Sequence, residues 1–273
     1  MTTAFADVSA APLAELLSLA GRQAVVTGGA QGLGKAIALR LAEAGANILI
    51  GDLNADRAQA AADDIAARFP VRALGAAMDV SDSESVRAAA ASAVEELGGI
   101  DIWVNNAGIF PSVPVLETPD RTWEQVFAVN TRGVFNGSRE AARHMTDADR
   151  GGVIINIVST AGFTGTAPGL SAYVGSKHAV RGMTKQMALE FAPLGIRVLG
   201  VAPTFVPTEG NMAAAAAHAP TEESGQAMAV MTNSLIGRMG TPDDIARVVL
   251  FCASDLSTIM TGSTLLADAG QTI

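Results

Sequence analysis

Short apolar runs alternate along this chain with longer, alanine-rich stretches in which apolar residues recur at helical spacing. The apolar runs predict strands at Gln23–Thr27, Asn47–Asp52, Val71–Met78, Ile102–Asn105, Val153–Val158, Arg197–Val201 and Ser263–Ala267. The alanine-rich stretches predict helices at Gly32–Ala44, Asp56–Arg68 and Ser83–Leu97. Strands that are apolar on both faces and alternate with helices are typical of a parallel sheet covered on both sides. We therefore predict an α/β fold.

No linker, repeat or long charge run interrupts this alternation, so we predict one domain over residues 21–273. Residues 1–20 are expected to form an N-terminal extension. Its leucines could make a short amphipathic turn, but a frayed segment is the preferred interpretation. The largest irregular segment runs from Pro203 to Arg238. A segment of this length inside a compact domain is usually functional, and we predict a substrate lid over about 204–238.

Composition excludes several classes of protein. The 273 residues are 49% hydrophobic and carry a net charge of −9, which argues against nucleic acid as a partner. No apolar run is long enough to span a membrane, and residues 1–20 lack the basic region of a signal peptide. The single Cys252 excludes an intrachain disulfide, and His144, His178 and His218 lack metal-ligand spacing. We expect a soluble, cytoplasmic protein without a metal.

A glycine-rich turn, Thr27–Gly34, follows the first predicted strand and opens the first predicted helix. Glycines allow the backbone to approach a pyrophosphate, and the free N–H groups of the helix start then face the anion. The spacing is G-x-x-x-G-x-G, and it predicts a dinucleotide site. The expected contacts are Gly28, Gln31, Gly32, Leu33 and Gly34.

Asp52 ends the second predicted strand, where its carboxylate could accept hydrogen bonds from both ribose hydroxyls of the cofactor. It would repel a 2′-phosphate. Leu53 and Asn54 follow it, so no basic residue there would welcome that phosphate. The sequence therefore predicts NAD rather than NADP, with Asp52 and Leu53 at the adenosine end.

Tyr173 and Lys177 are one helical turn apart, so both side chains are expected on one helix face. A free phenol has a pKa of about 10, and a nearby cation lowers it. This pair therefore predicts a phenolic base matched to neutral pH. Tyr173 is the only tyrosine of the chain. On its own, the Y-x-x-x-K pattern is also common as a helix surface pair.

Together these residues resemble the short-chain dehydrogenase/reductase family from about Leu19 to the C-terminus. The resemblance is carried by Thr27–Gly34, Asp79-Val80, Asn105-Asn106-Ala107-Gly108, Asn130, Ser159, Tyr173 with Lys177, and Pro203 with Thr208. It implies a Rossmann-like, doubly wound sheet of about seven strands in a single domain. It also implies NAD or NADP as cofactor and a homo-oligomer, with a tetramer favoured over a dimer.

The resemblance assigns roles at the cofactor. Asp79 would bind the adenine amino group and Val80 would contact the ring through its backbone; the structural alternative for Asp79 is an acid at a helix start, although Ser81 or Ser83 could cap that helix. Asn106, Ala107 and Gly108 would pass under the adenosine ribose, and here the alternative is a purely structural turn. Lys177 would also hold the cofactor ribose.

The resemblance also assigns catalytic roles. Asn130 would bind a water that links Lys177 to solvent, with a local cap as the alternative. Ser159 would hydrogen-bond the substrate oxygen. It precedes Tyr173 by fourteen residues where thirteen are usual, and counting thirteen gives Thr160. We prefer Ser159, because Asn156–Gly162 matches the family without a gap; the extra residue then falls in Phe163–Leu170.

The segment Pro203–Thr208 corresponds to the family's turn that holds the nicotinamide carboxamide, through Pro203, Val206 and Thr208. This chain has Thr204 where glycine is usual. It departs again at Asp268-Ala269-Gly270, where Asp-Gly-Gly is usual.

These features predict an NAD-dependent oxidoreductase that moves a hydride between the nicotinamide and a secondary alcohol or ketone. Apolar residues expected to flank the site favour an apolar substrate, although core packing explains them almost as well. They are Phe110, Pro111, Phe163, Phe205, Val206, Met212, Met228 and Met231. Glu209, Asn211 and His218 could instead bind a sugar or polyol. An NAD-binding sensor or scaffold without turnover is the alternative of another class.

Overall fold

Seven strands carry the fold of this protein, for which a computed structural model describes residues 5–148, 150–210, 212 and 234–273. The strands are β1 (Gln23–Thr27), β2 (Asn47–Asp52), β3 (Ala73–Ala77), β4 (Ile102–Asn105), β5 (Gly152–Ile157), β6 (Ile196–Pro203) and β7 (Thr264–Ala267). They pair in parallel in the order β3-β2-β1-β4-β5-β6-β7. This confirms the predicted doubly wound sheet.

Helices connect the strands and cover both faces of the sheet. They are α1 (Leu13–Leu17), α2 (Gly32–Glu43), α3 (Ala55–Arg68), α4 (Ser83–Leu97), α5 (Asp120–Phe127), α6 (Gly133–Asp147), α7 (Ser171–Phe191) and α8 (Pro242–Ala253). One turn of π-helix, Ala128–Arg132, joins α5 to α6. Helix α1 lies within the predicted N-terminal extension. The structure therefore favours the short amphipathic turn over the frayed segment that we preferred for these residues.

The two faces of the sheet build two separate parts of the core, which explains why the strands lack a polar face. Along β1, Ala24 and Val26 belong to the part that α2, α3 and α8 cover. Val25 lies between them in sequence and belongs to the opposite part, with Trp103 and residues of α4, α6 and α7. Alternate residues of a strand point to opposite faces, so a strand covered on both sides must be apolar throughout.

The differences from the predicted elements are small and fall at strand ends. Strand β3 is shorter than the predicted Val71–Met78, while β6 runs on to Pro203. Cys252 is buried in α8 and not in a disulfide, and burial raises the pKa of its thiol to about 12, as is typical of a structural rather than a reactive cysteine. In the described parts of the chain, no helix is long and apolar enough to cross a membrane. No cluster of metal-ligating side chains occurs in those parts either.

Candidate active site

The candidate site lies at the carboxyl edge of the sheet, where the strand order reverses between β1 and β4. The glycine-rich turn follows β1, and Asn106–Gly108 follows β4. Ser159 comes directly after β5, and Thr204–Thr208 after β6. Ligands of doubly wound sheets bind in the crevice at this reversal. The topology therefore gathers, at one edge, residues that are far apart in sequence.

The glycine-rich turn leaves no room for side chains at its key positions. Gly28 and Gly32 have positive φ angles of 60° and 54°, which glycine adopts without strain. A Cβ on Gly34 would collide with the main-chain oxygen of Gly28. Helix α2 then starts with no side-chain cap from its N-cap residue, Gln31. Its first N–H groups are thus available to an anion, as the sequence predicts.

The two turns that flank the reversal are tied together by hydrogen bonds. The Thr27 hydroxyl accepts from the main-chain N–H groups of Asn106 and Ala107, both at 3.0 Å. The Asn106 amide donates to the carbonyls of Thr27 (2.9 Å) and Gly28 (3.1 Å). Asn106 therefore has a structural role besides any cofactor contact. The motif Thr27–Gly34 gives no sign of this hydrogen-bonding role of Thr27, because its partners follow a different strand.

Asp52 faces the glycine-rich turn from the end of β2. Its carboxylate accepts from the main-chain N–H of Ala30 at 3.3 Å and of Asn54 at 3.2 Å. The expectation that no basic residue lies nearby needs correction, because the guanidinium of Arg57 donates to the Gln31 side chain at 3.4 Å. Arg57 is in the first turn of α3, which brings it back toward β2. The positive charge of Arg57 therefore lies near the glycine-rich turn, although Arg57 is far from that turn in sequence.

Asp79 and Val80 follow β3 on the same edge. The Asp79 carboxylate accepts from the N–H (2.9 Å) and the hydroxyl (2.7 Å) of Ser81. Helix α4 is capped by Asp82, whose side chain accepts from the N–H of Glu84, so neither Ser81 nor Ser83 is the cap. Because another acid caps α4, Asp79 is not needed at that helix start.

Asn130 sits in the π-helical turn and is completely buried. Its amide nitrogen donates to the carbonyl of Ile109 (2.8 Å) and to the hydroxyl of Ser176 (3.0 Å). Its amide oxygen accepts from the N–H of Ile109 at 2.8 Å. Both donors of the side chain are used, so Asn130 holds the segment after β4 against α7. π-Helical turns are frequent at functional sites, and the water-binding role stays a prediction.

Helix α7 brings Tyr173 and Lys177 to Ser159. The Ser159 hydroxyl lies close enough to the Tyr173 phenol to favour its ionised form, whereas Thr160 is buried. The ammonium of Lys177 donates to the carbonyl of Ile157 at 2.7 Å and lies 5.7 Å from the centre of the Tyr173 ring. The geometry thus favours Ser159 over Thr160. The link through Ile157 is invisible in sequence, because it uses a main-chain oxygen.

The electrostatics of the protein alone differ from the sequence-based expectation. Burial raises the pKa of Tyr173 from its ordinary value, and the nearby hydroxyl of Ser159 opposes that rise. Burial also lowers the pKa of Lys177 to about 8. The prediction that Lys177 lowers the pKa of Tyr173 is therefore wrong for the ligand-free chain. Desolvation of both groups outweighs their attraction, because the ammonium is directed at Ile157.

A chain of buried hydrogen bonds links α7, which carries Tyr173 and Lys177, to the central strands of the sheet. The Asn105 amide donates to the Asn156 side chain at 2.8 Å, and the Asn156 amide donates to the Thr184 hydroxyl at 3.0 Å. These residues belong to β4, β5 and α7, and all are 3% exposed or less. Buried polar groups that are fully paired fix a unique packing. The network therefore sets how α7, with Tyr173 and Lys177, lies against β5.

One aromatic side chain, Phe110, borders the phenol. Phe110 meets Tyr173 edge-on, with ring centres 5.9 Å apart, and is 48% exposed. The guanidinium of Arg181 lies 3.8 Å from the centre of the Phe163 ring. Two further apolar residues that were expected beside the site differ in exposure: Val206 is buried and Met212 is half exposed. Asn211, His218, Met228, Met231 and most of the predicted lid lie outside the described residues.

The segment after β6 reaches the glycine-rich turn. Thr208 packs on Gly32, where a Cβ would come within 3.2 Å of the Thr208 Cβ. Pro203 is the last residue of β6, and both it and Val206 are buried. Because the Val206 side chain packs in the core, a contact with a dinucleotide would use its backbone. The predicted nicotinamide turn thus closes one end of the crevice.

Comparison with known proteins agrees with this arrangement. The sequence profile described as short chain dehydrogenase matches residues 22–219. The chain belongs to this family. A short-chain dehydrogenase relative, 3beta-hydroxysteroid dehydrogenase 2 of Eggerthella lenta, is 38% identical over 92% of this chain and 95% of its own length. An L-2,3-butanediol dehydrogenase of Corynebacterium glutamicum is 37% identical over 91% and 97%, respectively.

Solved structures of the family match the fold closely. A short-chain type dehydrogenase/reductase from Mycobacterium marinum superposes with a TM-score of 0.86 at 37% identity, covering 94% of this chain and 98% of its own. A dehydrogenase/reductase from Sinorhizobium meliloti reaches 0.85 at 37% identity, covering 96% and 99%. The predicted family and fold are confirmed, and the chain is an oxidoreductase of a family that typically uses a nicotinamide cofactor.

Proposed function

We propose that this short-chain dehydrogenase moves a hydride between NAD and a secondary alcohol or its ketone. The observation that carries the proposal is that Ser159, Tyr173 and Lys177 lie together at the carboxyl edge of the sheet, with Lys177 next to Gly108 of the turn after β4. A phenol with a hydroxyl beside it can exchange a proton with an alcohol oxygen that both groups contact. A buried ammonium beside them can hold a negative charge in place.

The residues present fit a nicotinamide dinucleotide. A turn with no room for a Cβ at Gly28 and Gly34, followed by the uncapped start of α2, suits a pyrophosphate. Asp52 suits an adenosine ribose at one end, and the Pro203–Thr208 segment suits the nicotinamide at the other. When bound, such a cofactor supplies the hydride chemistry, and the protein orients and polarises the substrate.

The chain's own residues then handle the proton. At neutral pH the raised pKa of Tyr173 keeps its phenol protonated in the ligand-free protein, so it can donate to a ketone oxygen. In the direction of oxidation, Tyr173 must accept the alcohol proton, which a charged Lys177 favours. The hydroxyl of Ser159 donates to the substrate oxygen as negative charge develops there. Asn130 holds Ile109, and the next residue, Phe110, meets Tyr173 edge-on.

The Ser159 assignment predicts an asymmetric pair of variants. Ser159→Ala removes the hydroxyl beside Tyr173, so kcat should fall by at least about tenfold, the scale of a lost hydrogen bond in a transition state. Thr160→Val replaces a buried hydroxyl with a methyl group of similar size and should change kcat by less than about twofold, because Ser159 is the hydroxyl that acts on the Tyr173 phenol. Steady-state kinetics of both purified variants checks this. A loss confined to Thr160→Val would show that the assignment is shifted by one residue.

The side chain next to the Tyr173 phenol indicates the class of substrate. Phe110 is half exposed against Tyr173 and offers an aromatic edge to a substrate. This supports an aliphatic, aromatic or cyclic secondary alcohol, the class to which hydroxysteroids and 2,3-butanediol also belong. A sugar or polyol is the second candidate of the same family, and Glu209 is the residue that would favour it.

The preference for NAD predicts a charge-dependent switch at Asp52. Asp52→Arg replaces a repulsive charge with an attractive one beside Arg57, so the NADP to NAD ratio of kcat/KM should rise at least about a hundredfold. Asp63→Arg makes the same charge change on the exposed face of α3 and should leave the ratio unchanged. Initial rates with both cofactors check this. A wild-type kcat/KM that is higher with NADP would contradict the role given to Asp52.

The decisive test of turnover is NADH formation at 340 nm with a panel of secondary alcohols and polyols. Turnover of the simple alcohols supports the proposal, and turnover of polyols alone supports the second candidate. Binding of NAD without turnover of any substrate would favour a sensor or scaffold. The meeting of Ser159 with Tyr173 argues against a scaffold, because a protein that only binds has no need of a paired phenol.

We further propose that the protein works as a cytoplasmic homo-oligomer, with a tetramer favoured over a dimer. Large apolar side chains are exposed on neighbouring helices: Trp123 on α5, Phe135 on α6 and Leu189 on α7, at 45%, 44% and 72%. Subunit contacts usually cover apolar patches of this kind. Light scattering of the purified protein tests the assembly.

A further inference from the structure

The C-terminal turn, Asp268–Thr272, follows the edge strand β7 and is built around one carboxylate. Asp268 is 7% exposed and accepts from the N–H of Gly270 at 3.1 Å. It also accepts from the N–H (3.0 Å) and the hydroxyl (2.7 Å) of Thr272. These bonds, all between residues of the turn, hold its shape. Strand pairing places Pro203 beside Ala267, so β6 and β7 end next to each other.

This turn contains a backbone conformation that requires a reason. Ala269 has a φ of 54°, and among the described residues it is the only one other than glycine with a positive φ. Such a conformation is unfavourable for alanine and persists only where its surroundings hold it. The position is also one where the family usually has glycine. The C-terminal turn is thus held in place by what it contacts.

The C-terminal turn contacts the segment after β6 at its beginning. The hydroxyl of Thr204 donates to the side-chain oxygen of Gln271. Thr204 is the second place where this chain departs from the family's glycine, and a glycine could not make this bond. The two departures, Thr204 and Ala269, therefore meet in one structural feature.

The same turn contacts the place where the chain returns from that segment. The carbonyl of Ala269 accepts from the N–H of Leu235 at 2.9 Å. The Leu235 side chain lies against Gly270, where a Cβ would come within 2.8 Å of it. One short turn thus fixes the chain both where it leaves β6 and where it comes back.

We propose that the C-terminal turn is a positioning element for the dinucleotide, with Gln271 as its positioning residue. Gln271 holds Thr204, which fixes the path of the backbone to Thr208, and Thr208 packs on Gly32 of the glycine-rich turn. Releasing Thr204 lets Thr208 move relative to Gly32 and loosens the nicotinamide end of the site. This inference rests on the proposed function, because it needs a dinucleotide to position.

The pair can be tested through cofactor affinity. Thr204→Val keeps the shape but removes the hydroxyl, and Gln271→Leu removes the acceptor. Each should raise the Kd for NADH about threefold to tenfold, which is the range of one hydrogen bond. The double variant should be no weaker than either single variant, because the bond is already lost. Thr204→Ser keeps the hydroxyl and should bind NADH as the wild type does.

Comparison of kcat with KM for NAD distinguishes a positioning role from general damage to the fold. With saturating cofactor, kcat should stay within about twofold of the wild type, because Ser159, Tyr173 and Lys177 are untouched, while KM for NAD rises. Unchanged Kd and KM in both single variants, even with a lowered Tm, would overturn the inference, as would additive effects in the double variant. If wild-type protein binds neither NADH nor NADPH, the proposed function itself fails, which is a different outcome.

Discussion

Tyr173→Phe should abolish turnover while dinucleotide binding stays within about twofold of the wild type. The substitution removes only the phenolic oxygen, so the ring can still meet Phe110 edge-on. The proton that must leave or reach the substrate oxygen then has no donor or acceptor at that point. General acid–base catalysis contributes roughly a hundredfold to ten-thousandfold, so kcat should fall by at least about a hundredfold. NADH formation at 340 nm and NADH fluorescence titration measure the two quantities.

The direction of catalysis adds a pH dependence to this result. Burial raises the pKa of Tyr173 from its ordinary value in the ligand-free protein, so the phenol keeps its proton at neutral pH and loses it only as the pH rises. Alcohol oxidation, which needs the unprotonated form, should therefore increase from pH 7 toward pH 10. Ketone reduction should decrease over that range. Residual activity of Tyr173→Phe with the wild-type pH profile would contradict the role of Tyr173.

The fold could be predicted almost completely, because the sheet is covered on both faces. Covered strands must be apolar throughout, and this gives each one a clear signal; β2 and β4 have the predicted bounds. The glycine-rich turn is similarly constrained by sterics, since only glycine fits at Gly28 and Gly34. Errors occur at β3 and β6, whose ends depend on pairing with neighbours. Pairing between distant segments leaves little trace in local sequence.

The site could be predicted only in part, for the same physical reason. The helical spacing of Tyr173 and Lys177 places both on α7, but the contact of Lys177 with the Ile157 carbonyl depends on how α7 packs on β5. The approach of Arg57 to Gln31 depends on the turn between β2 and α3. The raised pKa of Tyr173 is a property of the burial around it. The spacing of motif residues in the sequence predicts neither of these two contacts nor this pKa.

Lys177 combines a function with a cost to stability. It is 5% exposed, and burial lowers its pKa from 10.5 to about 8. That difference corresponds to about 3 kcal/mol at about 1.4 kcal/mol per pH unit. The cost is fully present below pH 8, where the buried amine must be charged. It is relieved as the pH rises from 8 to 10.5, where the folded chain releases its proton before the unfolded chain does. The bond to Ile157 partly offsets it.

Lys177→Met should therefore lower kcat by at least about a hundredfold while the free energy of unfolding at pH 7 stays within about 2 kcal/mol of the wild type. The variant loses both the desolvation cost and the bond to Ile157, which act in opposite directions. Between pH 7 and pH 10 the wild type should gain stability relative to the variant, because only the wild type sheds the cost.

Urea unfolding at both pH values measures this shift, and Lys185→Met, an exposed lysine of the same helix, is the matched control. Lys185→Met should keep its activity and show no such pH dependence relative to the wild type. A wild type that loses stability relative to Lys177→Met over this range would show that the ammonium is better stabilised by the folded protein than by water. The electrostatic account of the site would then be wrong in sign, because Lys177 would be a stabilising charge. Since a lysine with an ordinary or raised pKa has no desolvation cost to shed, this one comparison decides between the two descriptions.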